Sequence, residues 1–520
     1  MKPSFSPSLV ADTIWKTAIL LSVFFMLGAG LVWFNAHRLT LEHQHPYFTR
    51  MYVGVAEYRL EHLFDWLKPG SSQASSHPPA TARSVPVLLY HGVRPGPDGE
   101  NVSAAAFTNQ MLALKNAGWQ TISIEDYYEF MRQGKKLPEK SFLLTFDDGR
   151  KDSYYPVDPL LQTLHYRATM FVITKASLTP TESKFYLDQT ELLEMRDSGR
   201  WDLQPHAAFG HFYYAVDAKG TQGHFYDNKL WLSAQNRLET NQEFADRVLG
   251  DLKMAKSDLA QAVASSGIAF AYPFNEFGAN TTNYPAATSV LQTAVQSQFP
   301  IAFYQVWPNR GSTQNFPQDP NFMQKRLLMD STTTPQNLLA QLNDSSAKPF
   351  NYSNDLQHHD NSWLKSWGDM TWTKSGLSLK AAKNGDGAFA FLDGAMDWHD
   401  YTATARTQLS TGAYTRIFGR MVDDKNHLSC TYTPGQVILE QTVNNSTHTL
   451  AKADFSSSLG DVQVGIRTHG TQVDCLENAQ VVTSATQEPN TTENGSIGFA
   501  VWNPPLGTAN LEVSDVKVTP

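Results

Sequence analysis

The run LLTFDDGR, Leu143–Arg150, ends an apolar stretch in two adjacent carboxylates and a glycine. At the C-terminal end of a strand, Asp147 and Asp148 leave the sheet and project into the mouth of an α/β fold, where such folds bind ligands. Asp-Asp-Gly is also ordinary turn chemistry, so the tripeptide alone does not decide between a site and a turn. Three other apolar runs end in a comparable way. VLLY runs into His91, WDLQ runs into Pro205 and His206 with His211 following in the segment HAAFGH, and IAFAY runs into Pro273 and Phe274. Titratable groups from separate parts of the chain are therefore expected on one rim.

Two histidines and a carboxylate make a common open site for a divalent cation, with positions left for water and substrate. The i,i+5 spacing of His206 and His211 does not put both imidazoles on one helix face and suits a loop that curls round an ion. Asp148, His206 and His211 are the candidate ligands. Zinc is the expected ion, with cobalt, nickel or iron as alternatives, because ligand type alone does not choose among them. Zinc would lower the pKa of a bound water to ~7. Asp147 is then free to act as general base, kept ionised by the neighbouring cation. His91 is the candidate general acid; its alternative is a histidine packed under the rim.

The elements that must position these groups follow from the texture of the chain. Short apolar runs at Val85–Tyr90, Thr121–Ile124, Ser141–Phe146, Thr169–Ile173, Trp201–Gln204, Ile268–Tyr272, Ile301–Val306 and Lys325–Met329 read as strands. Amphipathic stretches lie between most of them, with helices expected at Phe107–Ala117 and Glu243–Ala264. Alternating β and α implies a parallel sheet with helices outside, and eight such strands suggest a barrel. After Ala347, period-two strands follow one another without helices, which predicts an all-β sandwich over 347–520. Cys430 and Cys475 both fall in such strands and could pair in an external compartment; the alternative is two separate buried thiols.

The chain has 520 residues, too many for one core, and carries 41 Lys+Arg against 50 Asp+Glu. A net charge of −9 argues against a nucleic-acid partner, and two cysteines exclude a multi-Cys metal site. Thr17–Phe34 is free of charge and long enough for a membrane span, with Trp15 and Trp33 near its two ends. Lys2 and Lys16 precede it, which places the N-terminus in the cytoplasm and the body outside, as a single-pass cell-membrane protein; the alternative is a cleaved signal peptide. The expected division is a membrane anchor over 1–36, a juxtamembrane segment and Pro/Ser-rich linker over 37–84, an α/β domain over 85–346, and the sandwich.

With these motifs, the segment from Val85 to Asp330 resembles the polysaccharide deacetylases of the NodB-homology type, and within them the branch acting on poly-β-1,6-N-acetylglucosamine. The resemblance implies a distorted (β/α) barrel, with TFDDG supplying the base Asp147 and the ligand Asp148. It implies ligands His206 and His211 at the longer spacing of that branch, and His91 of LLYHGV as the acid. FAYPF resembles a groove-lining motif, which implies that Pro273 and Phe274 line the substrate groove and that a main-chain N–H near Phe274 stabilises an oxyanion. There are departures. Ala207 replaces the hydroxyl residue usual after the first His. Ala271 replaces an Arg that orients the base, so nothing evident orients Asp147. Asn275 stands where glycine is expected. The C-terminal region resembles concanavalin-like jelly-roll sandwiches, which implies a glycan-binding or spacing module, with Trp363, Trp367, Trp372 and Trp398 as candidates for stacking on sugars or for core packing. The function implied is a membrane-anchored, metal-dependent N-deacetylase of an N-acetylglucosamine polysaccharide. Peptidoglycan, chitin or O-acetyl esters are alternative substrates, and an inactive glycan-binding scaffold is the alternative of another class.

Overall fold

The computed structural model describes residues 80–96, 98–179, 185–308, 312–489 and 493–520. The expected span Thr17–Phe34 and most of the juxtamembrane segment and linker lie outside the described residues. Among the described residues, no helix is long and apolar enough to cross a membrane. The expected linker ends earlier than residue 84: Thr81 bridges Pro138, and Ser84 Oγ donates to Gln314 Oε1 at 3.0 Å, so residues just before Val85 already belong to the folded body.

Seven parallel strands form the principal path of the first sheet. They are β1 (Val85–Tyr90), β2 (Ser141–Phe146), β3 (Ala168–Ile173), β4 (Trp201–Ala207), β5 (Ala269–Ala271), β6 (Ile301–Val306) and β7 (Met323–Leu328). Their order is β5-β6-β7-β1-β2-β3-β4. β1, β2 and β3 are buried along their whole length, as strands covered on both faces must be. The two ends of the path are not joined by a backbone ladder. Side chains of β4 close the seam instead: Gln204 Oε1 accepts from Ile268 N at 2.9 Å and Ala269 N at 3.0 Å, and His206 Nδ1 lies 2.8 Å from Ala271 O. The barrel is thus nearly closed, with seven principal strands where the sequence suggested eight.

The missing strand is the one expected at Thr121–Ile124. Only Gln120–Thr121 pairs with β2, and helix α2 (Ile124–Gln133) begins where the strand was expected to end, after α1 (Ala104–Asn116). Ser123 accepts from Asp126 N and Asp126 accepts from Ser123 N, a reciprocal cap that starts a helix. The long helix α3 (Asn241–Val263) starts earlier than expected for the same reason, with Thr240 and Glu243 forming its cap.

The C-terminal region is two antiparallel sheets packed face to face. One runs Asp369–Thr373, Gly376–Lys380, Asn510–Thr519, Tyr401–Thr411, Val462–His469, Gln472–Glu477, Gln480–Thr486, with Tyr352–Asn354 pairing Asn510–Thr519. The other runs Trp363–Trp367, Gly387–Leu392, Ser496–Trp502, Tyr414–Asp423, Asn426–Thr433, Gln436–Val443, Ser446–Asp454. Cys430 and Cys475 form a disulfide between the two sheets, with Cα atoms 5.6 Å apart. Trp363 and Trp398 are buried in the sandwich core and donate to Tyr352 Oη and Lys348 O, so they do not stack on sugars. Trp372 packs against the same core, and Trp367 is exposed.

Among the described residues, the crossover from β6 to β7 carries no helix. Sandwich residues lie on that flank: Phe391, Asp393 and Met421 line a cavity together with Phe316 and Lys325. Arg83, just before β1, pairs with Asp397 at 2.6 Å and donates to Lys348 O at 2.8 Å.

Candidate active site and metal centre

Side-chain alternation explains which groups reach the barrel mouth. On β2, Phe142, Leu144 and Phe146 face the helices, whereas Leu143 faces the interior with Phe171, Ala269, Ala271, Ile301 and Phe303. Thr145 and Asp147 continue the inward series. On β4, Trp201 and Leu203 face outward, so Asp202, Gln204 and His206 point in. His206 lies inside the strand rather than after it, because β4 runs on through Pro205 to Ala207. After β2 the chain turns sharply, with Asp148 at φ 76° and Gly149 at φ 74°, and the two consecutive left-handed residues send the adjacent carboxylates to the same mouth. A side chain on Gly149 would press on Ser177 and Val172 as well as strain that backbone.

Asp148, His206 and His211 offer ligand atoms within 4.8 Å of one another. Asp148 Oδ1 lies 3.1 Å from His211 Nε2 and 3.7 Å from His206 Nε2. That oxygen is buried and has no contact of hydrogen-bond geometry. Ala271 O can only accept, so His206 carries its proton on Nδ1 and presents the Nε2 lone pair to Asp148 Oδ1. Burial pushes His206 down to about 4, which keeps it neutral. Burial would raise Asp148, but the close approach and charge of His211 outweigh it and hold the carboxyl well below its usual range. An orphaned buried carboxylate oxygen facing two imidazole nitrogens, one with its tautomer fixed, is a donor set that could hold a divalent cation.

Arg326 is the residue that sequence reasoning missed. It grips Asp147 with two bonds, Nη1 to Oδ1 at 2.6 Å and Nη2 to Oδ2 at 2.7 Å. The expectation that nothing orients Asp147 is therefore corrected. The orienting guanidinium comes from β7 instead of position 271, points into the barrel, and lies over the Phe171 ring at 5.1 Å. Burial raises Asp147, and the charge of Arg326 more than offsets it, so the carboxyl is held below its ordinary value. One signal was present: a strand of this barrel with a cation at an inward position must pair it with an anion. His91 follows β1 on the same rim. Its Nδ1 is buried without a partner, and its carbonyl accepts from Ser153 Oγ. Gly92 has no room for a side chain, because a Cβ would lie 2.4 Å from Arg150 Nη2 and 2.5 Å from Asn101 Oδ1.

The loop to His211 is tied to α3. Asp251 accepts from Ala208 N at 3.2 Å, Phe209 N at 2.6 Å and Tyr226 Oη at 2.5 Å. Gly210 lies so close to the Tyr226 ring that a Cβ would collide at 2.4 Å. Ala207 does without a hydroxyl because Ala271 O orients His206. Pro273 is buried, and Phe274 is 39% exposed with φ 55°, its ring 4.1 Å from that of His211. Asn275 takes the next left-handed position and clasps β6: its Oδ1 accepts from Gln305 N at 2.6 Å and its Nδ2 donates to Gln305 O at 3.3 Å. A glycine would permit the turn and lose the clasp. Tyr213 and His224 pack on Phe274, and Phe209 and Phe212 are also exposed, giving an aromatic rim beside the ligands.

Residues 134–291 match the polysaccharide deacetylase family, and this stretch is a polysaccharide deacetylase domain. The chain is 27% identical over 187 residues to the poly-β-1,6-N-acetyl-D-glucosamine N-deacetylase of Escherichia coli K12, covering 34% of this chain and 28% of that protein. It is 24% identical over 184 residues to the enzyme of the same name from Staphylococcus epidermidis, covering 34% of this chain and 62% of that protein. The match thus spans less than a third of the length of the E. coli relative. Among solved structures, a de-N-acetylase from Aggregatibacter actinomycetemcomitans is similar over 49% of this chain and 98% of its own, at 19% identity and a TM-score of 0.41.

Proposed function

From the premise of a polysaccharide deacetylase domain, we propose that the chain is a metal-dependent N-deacetylase of an N-acetylglucosamine polymer, tethered to the cell membrane with its body outside. The observation that carries this reading is the pairing of two carboxylates with two tasks. Asp148 faces two imidazoles, and Asp147 beside it is held ionised by Arg326.

Asp148, His206 and His211 would hold the cation, whose contribution when bound is Lewis acidity toward water and an amide carbonyl. Asp147 accepts the proton of the attacking water. The grip of Arg326 lowers its basicity, which suits a water that is already acidified. The main-chain N–H of Phe274 donates to the carbonyl oxygen as it gains charge, with Pro273 setting the turn. His91 gives a proton to the departing amine, so one amide and one water become acetate and a free amino sugar. Phe274 and Tyr213 offer exposed rings to pyranose faces.

The charge-free run Thr17–Phe34 supports the tether, and the disulfide Cys430–Cys475 agrees with an oxidising compartment. The test is acetate release by metal-loaded protein from β-1,6-linked N-acetylglucosamine oligomers, with chitin, peptidoglycan and O-acetyl esters assayed beside them. Release from the first substrate and from no other is expected. Absence of release from all four would end the reading.

A further inference from the structure

We infer that the junction of barrel and sandwich holds a second saccharide-binding site, a cavity of about 440 Å³ that takes a neutral N-acetylhexosamine unit of a polymer. The identity of its ligand rests on the polysaccharide reading above; its existence does not. The volume lies within the ~300–1,000 Å³ of small-ligand clefts.

One wall is the stretch just before β7, through Gln318 and Asn321. The other is the sandwich, through His427, Asn444, Glu493 and Asn494. Among the described residues, the side-chain amides of Gln318, Asn321, Asn444 and Asn494 make no hydrogen bond within the chain. Each offers both donors and an acceptor, the mixed chemistry that sugar hydroxyls and an acetamido group satisfy. His427 Nδ1 is buried without a partner, and burial pushes the ring down to about 4, so it is neutral near pH 7. Glu493 supplies one carboxylate for a pair of hydroxyls. The Arg420 cation at the cavity edge is engaged by Asp400 at 2.9 Å and Gln487 at 2.9 Å, so that among the described residues lining the cavity no free cation is left to recruit an anionic ligand. Pro320 and Val443 give apolar surface for a ring face. Both domains build the cavity, and Asn321 stands just before β7, the strand whose Arg326 grips Asp147. A polymer held here and at the barrel mouth would be bound with avidity that no short oligomer has.

The test is hydrogen–deuterium exchange of the full chain with a β-1,6-linked N-acetylglucosamine pentamer, run beside acetate release from the same pentamer. The pentamer is expected to slow exchange at 316–322 and 442–445. The Q318A/N321A double variant should need about tenfold more pentamer for that protection, with acetate release within twofold of wild type. Asn494→Ala, on the opposite wall, should weaken it likewise and stands in if the double variant does not fold. Acetate release without protection at either segment, or protection that both variants leave unchanged, overturns the cavity site alone. Protection without acetate release upholds it and overturns the deacetylase reading instead.

Discussion

Asp147 is a buried charge, and it stays charged because Arg326 meets both of its oxygens. Removing one partner leaves the other uncompensated in a dry interior, at a cost of roughly 3–5 kcal/mol. Arg326→Met should therefore lower urea-unfolding stability by about that amount, and the double variant Arg326→Met/Asp147→Asn should recover most of it. Arg326→Lys keeps the charge and loses the two-pronged grip. It should retain bound metal and lose roughly 10–100-fold in kcat, as measured by acetate release. Asp147→Asn should also keep its metal and lose ~10²–10⁴ in kcat, the usual reach of a general base. His206→Ala and His211→Ala should instead emerge from dialysis without stoichiometric metal, as read by elemental analysis. A His206→Ala protein that still binds one ion per chain would remove the assigned ligand set.

At the level of elements, β4 does three things with its inward face. Asp202 accepts from Ile124 N at 3.0 Å at the start of α2, Gln204 and His206 bridge the open seam, and His206 also faces the candidate metal site. Asp202 is raised to about 6 from 3.8, chiefly by burial. An acid raised on folding stabilises the fold while protonated, so its contribution is complete below about pH 4 and is lost as pH rises through 6. Asp202→Asn should raise the melting temperature at pH 7.5, and the difference from wild type should shrink as pH falls toward 4. The loop 207–211 depends on α3 through Asp251. Asp251→Ala should preserve the far-UV spectrum and weaken metal binding roughly 10–100-fold by releasing His211.

The whole molecule joins barrel and sandwich through the flank of the barrel that follows β6, where no helix lies among the described residues. The sandwich has its own crosslink, which closes a loop of 45 residues between its sheets. On the loop-entropy account this contributes about 4 kcal/mol. The C430S/C475S variant should unfold at lower urea in the sandwich transition and leave acetate release at 25 °C near wild type. If the tether is real, the body of the full-length protein should be digested by protease added to intact spheroplasts. A body that resists would place it on the cytoplasmic side.

The carboxylates and histidines could be found in the residue order because each ends, or nearly ends, a short apolar run that reads as a buried strand, and the alternation of side chains along a strand then sets their direction. The cysteines could be counted there too, yet their pairing depends on two sheets bringing the Cα atoms to 5.6 Å. Thr121–Ile124 misled because β-branched residues favour a strand, while the Ser123–Asp126 cap, a short-range hydrogen-bond pair, starts a helix there. Arg326 could not be tied to Asp147 along the chain, since 179 residues separate them and only the order β7-β1-β2 brings them into contact. Local periodicity sets which side chains face inward, and that is written in neighbouring residues. Which inward side chains then meet is set by how the strands wrap, and that is a property of the closed barrel alone.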